Sequence, residues 1–482
     1  MIGELVTPSG LVALLPLLAA IVLACVADRK LGAWINIGAA SITFLLACRL
    51  PWHQGTGMLL LVDRLATHMV LLTAFVGMTS AWFSRGYIDI EATAGRLRPR
   101  GVRQYHALFQ AFLGFMLLAL LSNNLGLTWV AMEAATIAAV MVVGLPGTDE
   151  AVEASWKMFV LCGVGIALAL FGTIVLYLAA MPATGEGMAA MRWSAMAPQA
   201  ASFKAPLLNL AFVFLLIGYG TKAALAPLHA WMPDAHAEGP TPVSAVLSGS
   251  ILNVALAVLL RVRGLMAAND AALAPGPPMI GLGLLSLLLA AFSLWRRRDA
   301  KRFFAFSSVE QSGVAAFAFG IGGPAAMFAG MLHLTLHTLA KAAIFHCVGR
   351  ASQLKGGQRF TDITGLIDSH RALGLTLAAA IVAVSGLPPF GLFSSEFLIV
   401  AATIRTVPWL AIPLGVGLVV GFWALMRRLI TLCLGTPSPN RGPAPALIDL
   451  LPAWLHLALV LILGLAMPGF VLAWFSALAG SL

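Results

Sequence analysis

Runs of about 20 apolar residues recur along the whole of this 482-residue chain, and no other feature restricts its fold as strongly. A helix of that length crosses the roughly 30 Å of hydrocarbon in a bilayer. The runs lie near residues 9–27, 31–50, 63–84, 106–122, 124–144, 157–180, 206–226, 240–260, 279–295, 303–321, 325–348, 372–400, 408–432 and 453–476. None alternates as a barrel strand does, so the expected fold is an all-α integral membrane protein of about 14 transmembrane helices. Only 10% of the residues are charged, against roughly 25% in soluble domains. A chain this poor in charge cannot cover itself with polar surface, which excludes a soluble enzyme.

The net charge of +10 is no sign of nucleic-acid binding, because the basic residues sit in short connections between apolar runs. Numbered from the first, the odd connections hold 20 of the 29 Lys and Arg, from Arg29 to Arg441, and the even ones hold 7. Lys222 and Lys341 lie inside helices. By the positive-inside rule the odd connections are cytoplasmic and both termini non-cytoplasmic, in the inner (cell) membrane of a bacterium. The lead-in to the first run contains Glu4 and no Lys or Arg, so it is read as a membrane helix and not as a signal peptide. The cysteines Cys25, Cys48, Cys162, Cys347 and Cys433 form no CxxC pair, and neither GxxxxGK[ST] nor GxGxxG occurs. No metal, cofactor, ATP or dinucleotide site is expected.

Two runs are interrupted. One reads Gly218-Tyr219-Gly220-Thr221-Lys222 with Pro227 after it; the other reads Gly386-Leu387-Pro388-Pro389-Phe390-Gly391 with Glu396 after it. Glycine and proline free backbone groups that must find other partners. Breaks at corresponding places in two halves point to inverted repeats and a binding site between them. Here they fall in spans seven and twelve. The expected organisation is an N-terminal three-helix segment (1–105), a first five-helix repeat (106–262), a second (277–432) with helices 7 and 12 broken, and a C-terminal helix (433–482).

A charge in the middle of a membrane helix costs about 2.5–3.5 kcal/mol, so the few that exist are informative. Glu133 and Lys222 stand inside spans five and seven. If they meet, moving the carboxylate away would make the lysine release its proton. The plainer alternatives are a protonated packing carboxyl and a lysine snorkelling to an interface. His333, His337 and Lys341 recur every fourth residue and share one helix face. Imidazoles suit proton relay, although a polar helix contact or a zinc pair is also open. Glu396 follows the second break, where it is either a relay group or a terminal carboxylate near an interface. Glu310 could serve the same path or simply stand near the cytoplasmic end beside Lys301 and Arg302. Asp234, His236 and Glu238 fall in a polar turn after span seven, which is either an entrance or a solvated loop. Ser248, Asn253, Thr335 and Thr338 could line water between these groups.

These residues carry a resemblance that covers nearly the whole chain. Lys222-Ala-Ala-Leu-Ala-Pro227-Leu-His229-Ala-Trp231-Met-Pro233-Asp234-Ala-His236, then Gly239-Pro240-Thr241-Pro242-Val243-Ser244, resembles the signature of the antiporter-like subunits of respiratory complex I. The same family includes Mrp-type antiporters and membrane-bound hydrogenases. Lys301-Arg302 with Ser307-Ser308-Val309, His333-x3-His337-x3-Lys341 and Gly386-Leu387-Pro388-Pro389 resemble its further motifs.

The resemblance implies a Glu133–Lys222 pair, a central His333, His337 and Lys341 relay, and Glu396 as the end of the path. One departure is that Ser248 and Asn253 stand where complex I subunits often place a titratable residue in helix eight. That pattern is most similar to the F component of hydrogenase-4. The expected function is that of a proton-translocating subunit of a complex I-like or membrane-bound hydrogenase assembly. It would have no redox centre of its own and other membrane subunits as partners. A subunit of an Mrp-type cation/proton antiporter, with Na+ as an alternative cargo, is the competing expectation, and a structural membrane anchor is a third.

Overall fold

The structure, a computed structural model, describes residues 2–439 and 445–482; Arg441, counted above among the basic residues, lies outside them. Its helices in chain order are α1 (Pro8–Cys25), α2 (Arg29–Ala47), α3 (Arg64–Thr93), α4 (Pro99–Leu121), α5 (Leu125–Val143), α6 (Asp149–Thr184), α7 (Ala205–Lys222), α8 (Trp231–Glu238) and α9 (Thr241–Ala267). They continue as α10 (Gly276–Leu294), α11 (Ala300–Ile321), α12 (Gly323–Lys355), α13 (Arg371–Val384), α14 (Gly391–Thr406), α15 (Pro408–Leu434), α16 (Leu447–Leu465) and α17 (Gly469–Ala479). Short single turns and one two-stranded hairpin, Gly55–Thr56 with Leu61–Val62, complete it. Among the described residues twelve helices are long and apolar enough to cross a membrane. The chain is a multi-pass, all-helical membrane protein. The 22-residue α11 falls outside those twelve; it carries Lys301, Arg302 and Glu310.

Polar residues at the run boundaries set where helices begin. Asp28, Asp63, Asn124, Thr148 and Asp299 each accept a backbone N–H of the helix that follows, which satisfies one of its orphan donors. The Thr148 cap starts α6 at Asp149, earlier than the expected 157. The expected last span, 453–476, is two helices: α16 ends at Leu465 and α17 starts after Pro468, because a proline disfavours helical backbone in the residue before it. Span twelve, expected over 372–400, is likewise the pair α13 and α14. Residues 234–238, expected in a polar turn, belong instead to α8. The Asp234 carboxylate there meets Lys157 at 3.2 Å and Arg302 at 3.3 Å, and Glu238 meets Arg302 at 3.1 Å.

The helices differ sharply in what they face. The most apolar stretch of α9 is 100% buried and that of α12 is 94% buried, whereas those of α1, α15 and α16 are only 33% buried. Large apolar side chains such as Ile21, Val419 and Trp423 cover the outside, as expected where lipid is the solvent. α12 is the central rod, with α3, α11, α13, α14, α16 and the start of α9 packed around it. The polar groups along it therefore face other helices and not lipid.

At the N-terminus the Glu4 carboxylate accepts the backbone N–H groups of Met58, Leu59 and Leu60 at 2.9, 2.8 and 3.3 Å. Partial burial works to raise its pKa, but these three bonds outweigh it and hold the carboxyl below its ordinary value.

Candidate functional site

The first break ends α7 at Lys222 itself, so the lysine closes the helix instead of lying inside a continuous span. That position places its ammonium at the negative end of the helix dipole. The freed backbone groups beyond it are taken up one by one. Trp231 Nε1 donates to the Thr221 carbonyl at 2.9 Å, Ser312 Oγ to the Ala223 carbonyl at 2.7 Å, and the Ala226 N–H donates to Ser286 Oγ at 2.8 Å. Three other helices thus hold the break open. Lys222 has no solvent exposure, and its Nζ stands 3.4 Å from Glu133 Oε2. It also donates to Thr136 Oγ1, one turn along α5 from Glu133. The Thr136 hydroxyl hydrogen is spent on the Met132 carbonyl at 2.8 Å, so its oxygen is free to accept from the ammonium. Glu133, Thr136 and Lys222 form one cluster.

On α12 the rings of His333 and His337 lie parallel, 7° apart with centroids 6.5 Å apart. His333 Nδ1 meets Ser395 Oγ at 3.1 Å, and that hydroxyl donates to the Leu392 carbonyl at 2.9 Å. With its hydrogen on the Leu392 carbonyl, the serine accepts from His333 Nδ1, and the His333 ring also faces the Gln311 carbonyl. Neither His333 Nε2 nor His337 Nε2 has a hydrogen-bond partner among the described residues. Lys341 is wholly buried and donates to the Phe304 carbonyl of α11 at 2.8 Å.

Glu310 lies deep inside, not at an interface. It is 1% exposed, with Oε2 unpartnered, and stands nine residues beyond Lys301, about 13 Å along the helix. Its carboxyl lies within electrostatic reach of both Lys341 and Glu396. It is accommodated because α15 presents Gly421, where any Cβ would collide with the Glu310 carboxylate. Glu396 follows the second break in the same way that Lys222 ends the first. Gly386 there has φ +68° and lies against the Glu396 carboxylate, while the Gln311 side chain hydrogen-bonds it from α11.

Other expected residues lie apart from these clusters. Asn253 Nδ2 donates to Thr338 Oγ1 at 2.8 Å, joining α9 to α12. Ser248 Oγ bonds only within its own helix, to the Ala245 carbonyl at 3.1 Å, in a π-helical turn over Leu247–Ile251. His229 packs on the Phe306 ring, and Asp234 is held in the ion pairs of α8. Among the buried histidines outside the sequence expectations are His68, His346 and His456. Each of these is a lone imidazole in an apolar helix, the same signal that singled out Lys222, but with no other imidazole or carboxylate at helical spacing to suggest a partner.

An all-helical membrane bundle with a buried Lys222–Glu133 pair at one helix break and Glu396 beside another has the features of an ion-translocating class of membrane subunit. Residues 122–421 match the model of the family described as NADH:quinone oxidoreductase/Mrp antiporter, transmembrane, and the chain belongs to that family. It is 46% identical over 465 residues to the hydrogenase-4 component F homolog of Methylacidiphilum infernorum, covering 96% of this chain and 97% of that protein. It is 30% identical over 384 residues to NADH-quinone oxidoreductase subunit 14 of Thermus thermophilus, covering 78% of this chain and 82% of that one. Its fold matches a chain of the archaeal membrane-bound sulfane sulfur reductase (TM-score 0.86, 22% identity, 98% and 97% covered). It also matches a chain of the Mrp complex from Dietzia sp. DQ12-45-1b (TM-score 0.83, 19% identity, 98% and 97% covered). The chain is an antiporter-like membrane subunit.

Proposed function

We infer that this chain is a proton-translocating subunit of a complex I-like or membrane-bound hydrogenase assembly in a bacterial inner membrane, with both termini non-cytoplasmic and fourteen spans when α11 and the α13–α14 pair are counted. The proposed path runs through Glu133 and Lys222, then His333 and His337, then Lys341, Glu310 and Glu396. Two five-helix repeats, 106–262 and 277–432, would each supply one broken helix. The observation that carries the reading is the buried Lys222 ammonium at a helix break, 3.4 Å from Glu133. Separating the two charges leaves each uncompensated in a low dielectric, so the lysine gives up its proton as the pair opens. Asn253 and Thr338 line the stretch between the two halves, where water rather than a titratable side chain would carry the proton.

Moving one charge against 100 mV costs about 2.3 kcal/mol. A partner subunit must supply it, which agrees with relatives named as components and subunits of larger complexes. The family also contains Mrp antiporters, so Na+ is the competing cargo. The test is coupled proton uptake by the assembled complex in vesicles, with Lys222→Ala and Glu133→Ala. Both variants should assemble and lose uptake. Intact pumping in both would leave the chain as a membrane anchor, and Na+-dependent counterflow would make it an antiporter.

A further inference from the structure

The helix α12 has a second polar face. Thr335, His346, Arg350 and Gln353 fall on the side away from His333, His337 and Lys341, at spacings of 11, 4 and 3 residues that keep them in register on a helix. Their partners come from α3 and α16. His68 Nε2 meets Thr335 Oγ1 at 2.9 Å, His346 Nε2 meets Ser80 Oγ at 3.3 Å, and Arg350 pairs with Asp449.

Hydrogen-bond bookkeeping separates these histidines. The Thr335 hydroxyl donates to the Met331 carbonyl, so His68 donates from Nε2, and Trp474 Nε1 donates to its Nδ1 at 3.3 Å. His68 is fully satisfied and locks three helices together. His456 Nε2 lies 2.8 Å from Thr79 Oγ1, whose own hydrogen faces the Phe75 and Val76 carbonyls. His456 therefore also carries its hydrogen on Nε2, and its Nδ1 is a bare lone pair. That atom has no partner among the described residues, and neither does His346 Nδ1. The two rings stand 5.9 Å apart and are 0% and 2% exposed, walled by Phe75 and Phe83. Two buried imidazoles side by side, each with a polar atom unmet, are costly as packing elements.

From this pair a polar line leads toward the end of α12 that bears Arg350. Ser80 is one turn from Ser84, whose hydroxyl donates to the Ser80 carbonyl at 2.6 Å and accepts from the buried Tyr105 at 2.7 Å. His106, beside Tyr105, lines a cavity of about 360 Å³ together with Arg29, Arg85, Asp89, Arg350 and Asp449. Arg350 Nε and His106 Nδ1 are themselves buried without partners. The titratable group facing His346 is His456 itself; at the cavity the charged groups are Arg29 and Lys30 on α2, Arg85 and Asp89 on α3, Arg350 on α12 and Asp449 on α16.

We propose that His346 and His456 form a second proton-binding site, separate from the Glu133-to-Glu396 line and reached from the Arg350–Asp449 cavity past Tyr105, Ser84 and Ser80. A proton from water in the cavity binds one of the two unmet Nδ1 lone pairs, giving an imidazolium beside the neutral ring of the other histidine. No electrons move, and the charge returns to neutral when the proton leaves. This inference rests on the translocation reading above and adds a second store on the opposite face of the same helix.

The test uses the assembled complex in proteoliposomes, with His346→Gln, His456→Gln and the double variant. Glutamine can keep the bond to Ser80 or Thr79 but cannot hold a proton. Protons moved per turnover should fall at least twofold in each single variant, with the double no worse than the more severe single, as for groups acting as one unit. Wild-type stoichiometry in both single variants across the working pH range overturns the proposal. If the glutamine variants fail to assemble, Tyr105→Phe carries the test, since it removes the entry hydroxyl without touching the pair: a fall supports the site and unchanged pumping rejects it. Loss in Lys222→Ala with no loss here rejects only the second site; no loss in either rejects the translocation reading itself.

Discussion

A lysine with no solvent contact, 3.4 Å from a carboxylate, is a costly arrangement in a membrane helix, and its cost is what made it legible. The same expense marked His333, His337, Lys341 and Glu396 in the sequence, because an apolar helix has no incidental use for them. What the sequence could not convey is which of them meet. Glu310 shows the difficulty: Lys301 and Arg302 just before it suggested an interface, and only the close approach of its carboxyl to Gly421 of α15 sets it inside the bundle, within electrostatic reach of Lys341 and Glu396. If that placement is functional, Glu310→Gln, which keeps the volume and removes the exchangeable proton, should slow translocation by about tenfold or more while leaving assembly intact. Rates in vesicles equal to wild type would make Glu310 a packing residue.

The helix positions followed from hydropathy, because lipid leaves the backbone no other way to bond. The interiors of the breaks did not, because their stability comes from distant side chains. Ser312 on α11 and Ser286 on α10 satisfy groups freed beyond Lys222, and no local pattern encodes that. Ser312→Ala would orphan the Ala223 carbonyl and should cost about 1–3 kcal/mol, measured as a lower thermal midpoint in detergent. An effect under about 0.5 kcal/mol, ordinary for a surface site, would mean the break is held by other contacts. The N-terminal strap, the segment 58–60 that Glu4 ties down, behaves differently, since it hangs on one carboxylate. The folded pKa of Glu4 lies below its ordinary value, so its contribution is present above the usual carboxylate range and is lost as pH falls through the folded value. The Met58, Leu59 and Leu60 amides should lose hydrogen-exchange protection, corrected for intrinsic rate, as pH falls from neutral to below the ordinary carboxylate range. Unchanged protection would place the strap's stability elsewhere.

At the scale of the whole molecule, α12 is almost entirely enclosed, with a polar face turned to α11 and α14 and another to α3 and α16. A rod so buried and so polar is a poor structural choice, since it forgoes apolar packing at its centre, and a sensible one for moving charge across a bilayer. The fold and its family were readable from the recurring apolar runs and the Lys222–Ser244 motif. The second polar face was not, because it is assembled from α3, α4 and α16, which lie far apart in the chain. Everything proposed for transport depends on Glu133 and Lys222 acting as one proton-handling unit. Proton uptake by the assembled complex in vesicles, measured for Glu133→Ala, Lys222→Ala and the double variant, answers this. Each single change should abolish most of the uptake and the double should be no worse than either alone. Losses that multiply independently, or uptake that survives both changes, would contradict it.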